Sequence, residues 1–168
     1  MKRTLLPALF ACLSLAGCTR SADPLAWKIQ AGDPGQLQDW LGKNVWLMSP
    51  ALADEVSVCL TNIRTSTPLG PTGKQQDFLF CQRLDGHTLR EALIEGHELA
   101  NRMVLARIAN ESDAVVRLLR TADTLGPEEL RQREALMNAH LAARTSWEQR
   151  LKQSEKRLAG LRAGLRPP

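Results

Sequence analysis

The groups in this 168-residue chain whose types and spacing could do chemistry are few, and they gather between His87 and Glu98. His97-Glu98 opens in the manner of a zinc-protease helix, in which two histidines one turn apart hold the metal and the glutamate acts as base. One turn on, however, stand Asn101 and Arg102, so the second ligand is missing. His87, Glu91 and Glu95 fall along one helix face, where a solvated charged surface accounts for them without a metal. Gly70-Pro71-Thr72-Gly73-Lys74 has the residue types of a phosphate-binding loop, but it is too short, is followed by Gln75 and has no apolar strand before it. No Gly-x-Ser-x-Gly turn presents a serine nucleophile. Carboxylates set for acid–base work need a cleft, which a small helical bundle does not predict. The expectation is a protein with no catalytic residues, no metal and no cofactor, acting by contact with other molecules.

Lys2 and Arg3, an apolar run from Leu5 to Leu15 and then Leu15-Ala16-Gly17-Cys18 together resemble the signal and lipobox of a bacterial lipoprotein. The apolar run is too short for a permanent membrane span and suits an export signal. The resemblance implies cleavage before Cys18, a diacylglycerol on its thiol and a further acyl chain, such as palmitate, on its amine. More than one chain anchors a soluble domain durably, at roughly 0.8 kcal/mol per buried CH₂. Thr19, rather than Asp, after the anchor implies the periplasmic face of the outer membrane. Loss of Lys2 and Arg3 with the signal lowers the formal charge from +4 to +2. That is too little for a polyanion partner, and the compartment excludes nucleic acid. Cys12 would leave with the signal and Cys18 would be acylated, so Cys59 and Cys81 remain as a pair. In an oxidising compartment this pair is expected to form a disulfide, contributing roughly 3 kcal/mol.

The elements that position these groups are helical by every local signal. Residues 18–33 are small, polar and broken by Pro24 and Gly32, and are expected to form an acylated tether; Trp27 and Ile29 either dock on the domain or rest at the lipid interface. A helical domain is expected over 34–125. Asp33-Pro34 and Ser49-Pro50 are N-cap and first-turn pairs for two helices, the first ending near Ser49. Breakers fill Thr65 to Lys74, and Phe78 to Leu84 reads as a short helix. Thr88 and Glu91 form a capping box for a third long helix, which either bends near Asn110–Asp113 or runs straight through. Gly126-Pro127 then starts a last helix that no Pro or Gly interrupts until Gly160, roughly 50 Å long, which with a short tail makes up 126–168.

Leu130, Met137, Leu151, Leu158 and Leu165 keep a seven-residue register in that last helix, interrupted by Arg144. Its first half is expected to pack on the domain and its second half to project, carrying Arg144, Leu151, Lys152, Leu158 and Arg162 to a partner. The fold class predicted is all-α: a small disulfide-bridged bundle with a long coiled-coil-like C-terminal helix.

The order of features, with lipobox, tether, Gln36-Leu37-x-Asp39-Trp40-Leu41, two cysteines and Arg-rich helices ending in a coiled-coil-like segment, is similar to the QseG-type outer-membrane lipoproteins. That resemblance implies a non-enzymatic accessory to a membrane sensor kinase of a two-component system. A second reading is a pilotin-like chaperone of a secretin. It requires an apolar groove for a partner helix, which Trp40, Trp46 and Phe80 could line. A third is an envelope scaffold that self-associates through the last helix.

Overall fold

The computed structural model describes residues 23–70, 72–120 and 126–164; the signal of residues 1–17, Cys18 and Leu165 lie outside them. Five helices follow in chain order: α1 Pro34–Asn44, α2 Pro50–Ser66, α3 Gly73–Leu84, α4 Leu89–Arg120 and α5 Pro127–Arg162. The described residues are all-α, joined by short 3-10 turns at Pro24–Ala26 and Val45–Leu47 and by one isolated β-bridge.

The starts sit where the capping residues put them. Asp33 accepts from the Gln36 amide at 2.9 Å, and Ser49 accepts from the Leu52 amide at 3.3 Å. Each satisfies one of the donors that a helix leaves unpaired in its first turn. The Thr88–Glu91 box forms in both directions, with Glu91 accepting from the Thr88 amide at 2.7 Å. Gly86, at φ +77°, turns the chain from α3 into α4 in a conformation that favours glycine. α4 runs unbroken through Asn110–Asp113, because Ser112 turns its hydroxyl back to the Ile108 carbonyl (2.9 Å) instead of capping a new helix.

Residues 23–33 are not a tether. Leu25, Trp27, Ile29 and Ala31 alternate inward and are all buried, while Lys28 and Gln30 face out. The Ile29 amide donates to His87 and the Leu89 amide to Trp27, both at 2.8 Å, which seats this extended strip beside the start of α4. The period-two burial is that of a half-buried strand.

α4 and α5 form an antiparallel hairpin. Its register is set by His97 opposite Ser154 and Glu111 opposite His140. The docking direction of α5 is the reverse of the expectation. Leu158 and Leu161 are its buried residues, and Leu161 belongs to the same core as Leu25, Leu89 and Leu93. Past Gly96 no described residue of α4 is buried. The projecting part is therefore the far end of α4 with the first half of α5, about 35 Å of helix beyond the core.

The expected Cys59–Cys81 bridge is corrected as well: both are free, buried thiols. Cys59 faces α4, where its thiol lies 3.7 Å from the Leu93 carbonyl, whereas Cys81 lines a hollow with Pro34 and Leu37 of α1. The two side chains serve different helix interfaces. Burial pushes the Cys59 thiol up to about 12, with the nearby Glu55 charge adding to the shift.

Candidate functional site

Three helices meet at a polar cluster of four side chains that no local sequence pattern announces. Glu55 of α2 accepts from Arg157 of α5 through both oxygens, at 2.7 and 2.8 Å, and its Oε1 lies 2.8 Å from Nε2 of His97 on α4. Nδ1 of His97 lies 3.2 Å from the Ser154 hydroxyl. Side-chain exposures of 15% for Glu55, 16% for Arg157 and 18% for His97 place the cluster well out of water. Burial alone would raise the Glu55 pKa, but the hydrogen bonds from His97 and Arg157 outweigh it and hold the carboxyl at about 2 instead of the usual 4.5.

Ser154, His97 and Glu55 have the residue types of a hydrolytic relay, yet the arrangement does not suit one. The serine meets Nδ1 rather than Nε2, and a bidentate arginine occupies the carboxylate. No described cavity is lined by the three residues together. What the cluster can do is hold the C-terminal half of α5 against α2 and α4. A buried ion pair left without one partner costs about 3–5 kcal/mol, so losing either Glu55 or Arg157 alone from this latch is strongly destabilising.

A pH dependence follows. The Glu55 contribution is complete above its unfolded pKa of 4.5 and is lost as pH falls towards its folded value of about 2. Converted by linkage, that displacement is worth about 3 kcal/mol. Denaturant unfolding measured from neutral pH down to about pH 2 should show this loss. The variant Glu55→Gln should be less stable at neutral pH and flatter through the acid range; parallel curves for the two proteins would remove Glu55 from the latch.

The residues expected to carry a partner are dispersed. Arg144 pairs with Glu148 one turn along its own helix at 2.8 Å, and Arg162 reaches Glu98 of α4 at 2.7 Å. Lys152 is exposed and Leu151 half-buried. Leu158, only 5% exposed, is packed inside and is not open to a partner. Glu91 is held by its cap and Glu95 by Arg83, which draws both carboxylates beside His87 into structural pairings.

Two surfaces that sequence reasoning did not locate are formed instead. The first is an apolar groove of about 510 Å³ between α1 and α2, lined by Leu37, Leu41, Val45, Ala53, Leu60 and Phe80. Of the aromatics expected to line such a groove, Phe80 does; Trp40 is buried elsewhere and Trp46 stands 88% exposed. The second is the far half of the hairpin, where Leu105, Val116, Leu119, Leu130, Leu136 and Leu141 are exposed. Here the seam of α5 is filled by Met137, His140 and Trp147, the last with Arg107 and Arg150 over its ring at 5.0 and 4.7 Å. Comparison with known protein families, with curated proteins and with solved structures finds no match for this chain.

Proposed function

We propose that the protein is a non-enzymatic lipoprotein of the outer membrane, anchored through Cys18 at the periplasmic face, whose α4–α5 hairpin is an arm that engages a membrane sensor kinase. The observation that carries this reading is the hairpin itself. Its far half extends past the buried core and keeps large apolar side chains such as Leu119 and Leu136 in solvent. Exposed apolar surface on a rigid pair of helices is what a protein partner can bury. The described helices include none long and apolar enough to cross a membrane, so attachment in this reading rests on the acyl chains of Cys18.

A second reading is favoured by the groove on α1 and α2. Its apolar lining suits the amphipathic helix that a pilotin would receive from a secretin. The two readings use different faces, so photoreactive groups separate them. With one group at Leu119 and another at Leu41, crosslinking in the native envelope should join the Leu119 site to the periplasmic domain of a sensor kinase. A secretin joined at Leu41 alone would overturn the hairpin reading in favour of the groove. Crosslinks only to a second copy of this chain would support the scaffold in place of both.

A further inference from the structure

A second groove, independent of the hairpin, runs between the extended strip and α1. It has a volume of about 980 Å³ and is walled by Ala26, Lys28 and Gln30 on one side and by Gln36, Asp39, Trp40, Lys43 and Asn44 on the other. The strip uses only one of its two edges. Trp27 and Ile29 exchange backbone hydrogen bonds with Gly86, His87 and Leu89, and the Ala31 amide donates to Asp85 at 2.8 Å. In an extended chain the groups of the intervening residues point the other way. The backbone amides and carbonyls of Lys28 and Gln30 have no partner among the described residues, and both residues line the groove.

The opposite wall carries a second unsatisfied group. Asn44 is 3% exposed and its Nδ2 donates to the Trp40 carbonyl at 2.5 Å, which leaves Oδ1 as an acceptor without a partner among the described residues. The Asn44 side chain is closed off from the groove, so it fixes the position of this wall rather than contacting an occupant.

We propose that this groove receives an extended segment of a partner protein, which adds as a strand to the free edge at Lys28 and Gln30. The match is one of spacing. Donor–acceptor pairs on alternate residues of a strand recur every two residues, roughly 6.6 Å, and only another extended polypeptide repeats N–H and C=O at that interval. Sugars and nucleotides do not. Lys28 and Lys43 line the groove together with Asp39 and Asp85, so its charge is balanced and the backbone edge rather than charge selects the segment. The exposed lysine on the edge also disfavours pairing of the strip with a second copy of itself.

The test uses the purified protein and synthetic peptides of about eight residues, roughly 27 Å when extended. One peptide alternates Thr and Val around a single Asp; two others carry N-methyl groups on its odd or its even amides; a fourth is Ala-rich, helical and carries the same Asp. The first peptide should slow hydrogen exchange at the Lys28 and Gln30 amides. One N-methyl series should bind about tenfold more weakly and the other about as well as the parent, since only one set of amides faces the edge. Gln30→Pro removes an edge donor that makes no internal bond and should abolish binding with the thermal transition retained. Lys28→Pro removes the other edge donor and should weaken binding likewise, and it serves if the Gln30→Pro variant does not fold. Equal binding of both N-methyl series, preference for the helical peptide, or no change at Lys28 and Gln30 with any peptide would overturn the proposal.

Discussion

A chain ending at Leu141 is expected to lose the cooperative unfolding of the whole domain. The removed segment contains Ser154 and Arg157, which tie α5 to His97 and Glu55, and the buried Leu158 and Leu161. Removing one fully buried leucine side chain typically costs about 2–5 kcal/mol, and breaking a buried ion pair about 3–5 kcal/mol. Together these losses rival the roughly 5–15 kcal/mol that holds an ordinary domain folded. Thermal unfolding followed by circular dichroism should show a broad transition at much lower temperature. Leu161→Ala alone should cost about 2–5 kcal/mol. The opposite cut makes the comparison decisive: a short Gly-rich turn in place of residues 109–142 should keep the transition of the core and remove the hairpin tip. A stable chain ending at Leu141 would mean that the C-terminal half of α5 is dispensable cover.

Gly96→Ala should destabilise the protein although alanine is the better helix former. A Cβ at residue 96 would lie 2.6 Å from the Cys59 Cα and 2.9 Å from its carbonyl oxygen, and would also meet its Cβ. Two of these atoms are backbone, so α2 must move as a whole. The helix-propensity gain is about 1 kcal/mol, against roughly 1–3 kcal/mol or more for overpacking a tight contact. The gain is more than cancelled, and the net loss should be about 1–2 kcal/mol. Moving α2 also draws Glu55 away from His97 and Arg157, so the acid dependence of stability should weaken in the same variant. Gly42→Ala is the control. That glycine lies within α1 with nothing within 4 Å of the added Cβ, and the substitution should stabilise by about 0.5–1 kcal/mol. Urea unfolding of the two variants should therefore move in opposite directions; a shift of Gly96→Ala in the stabilising direction would show that the α2–α4 contact yields easily.

The helix starts were legible because their causes are local. Asp33-Pro34, Ser49-Pro50, Thr88 with Glu91 and Gly126-Pro127 each act within about one turn, and the helices begin where they stand. The strip from Leu25 to Ala31 was legible in principle, through its alternation, but Pro24 and Gly32 on either side drew it into the reading of a tether. Half of the α5 seam could be read from Met137, Leu151 and Leu158, although Leu130 in the same register stands exposed. The other half could not, because Arg133, His140, Trp147 and Ser154 do not form an aliphatic stripe. Aliphatic periodicity misses a seam that an antiparallel partner satisfies with hydrogen bonds and cation–π contacts.

The sequence by itself determined an all-helical chain, the starts of its helices and a last helix longer than the core can cover, since these depend on neighbours within a few residues. Only the tertiary structure decided which half of α5 docks, why Cys59 and Cys81 serve separate interfaces, and that Glu55 meets His97 and Arg157, residues 42 and 102 positions away. Contacts at that separation depend on how helix faces pack, and no pattern confined to one helix encodes them.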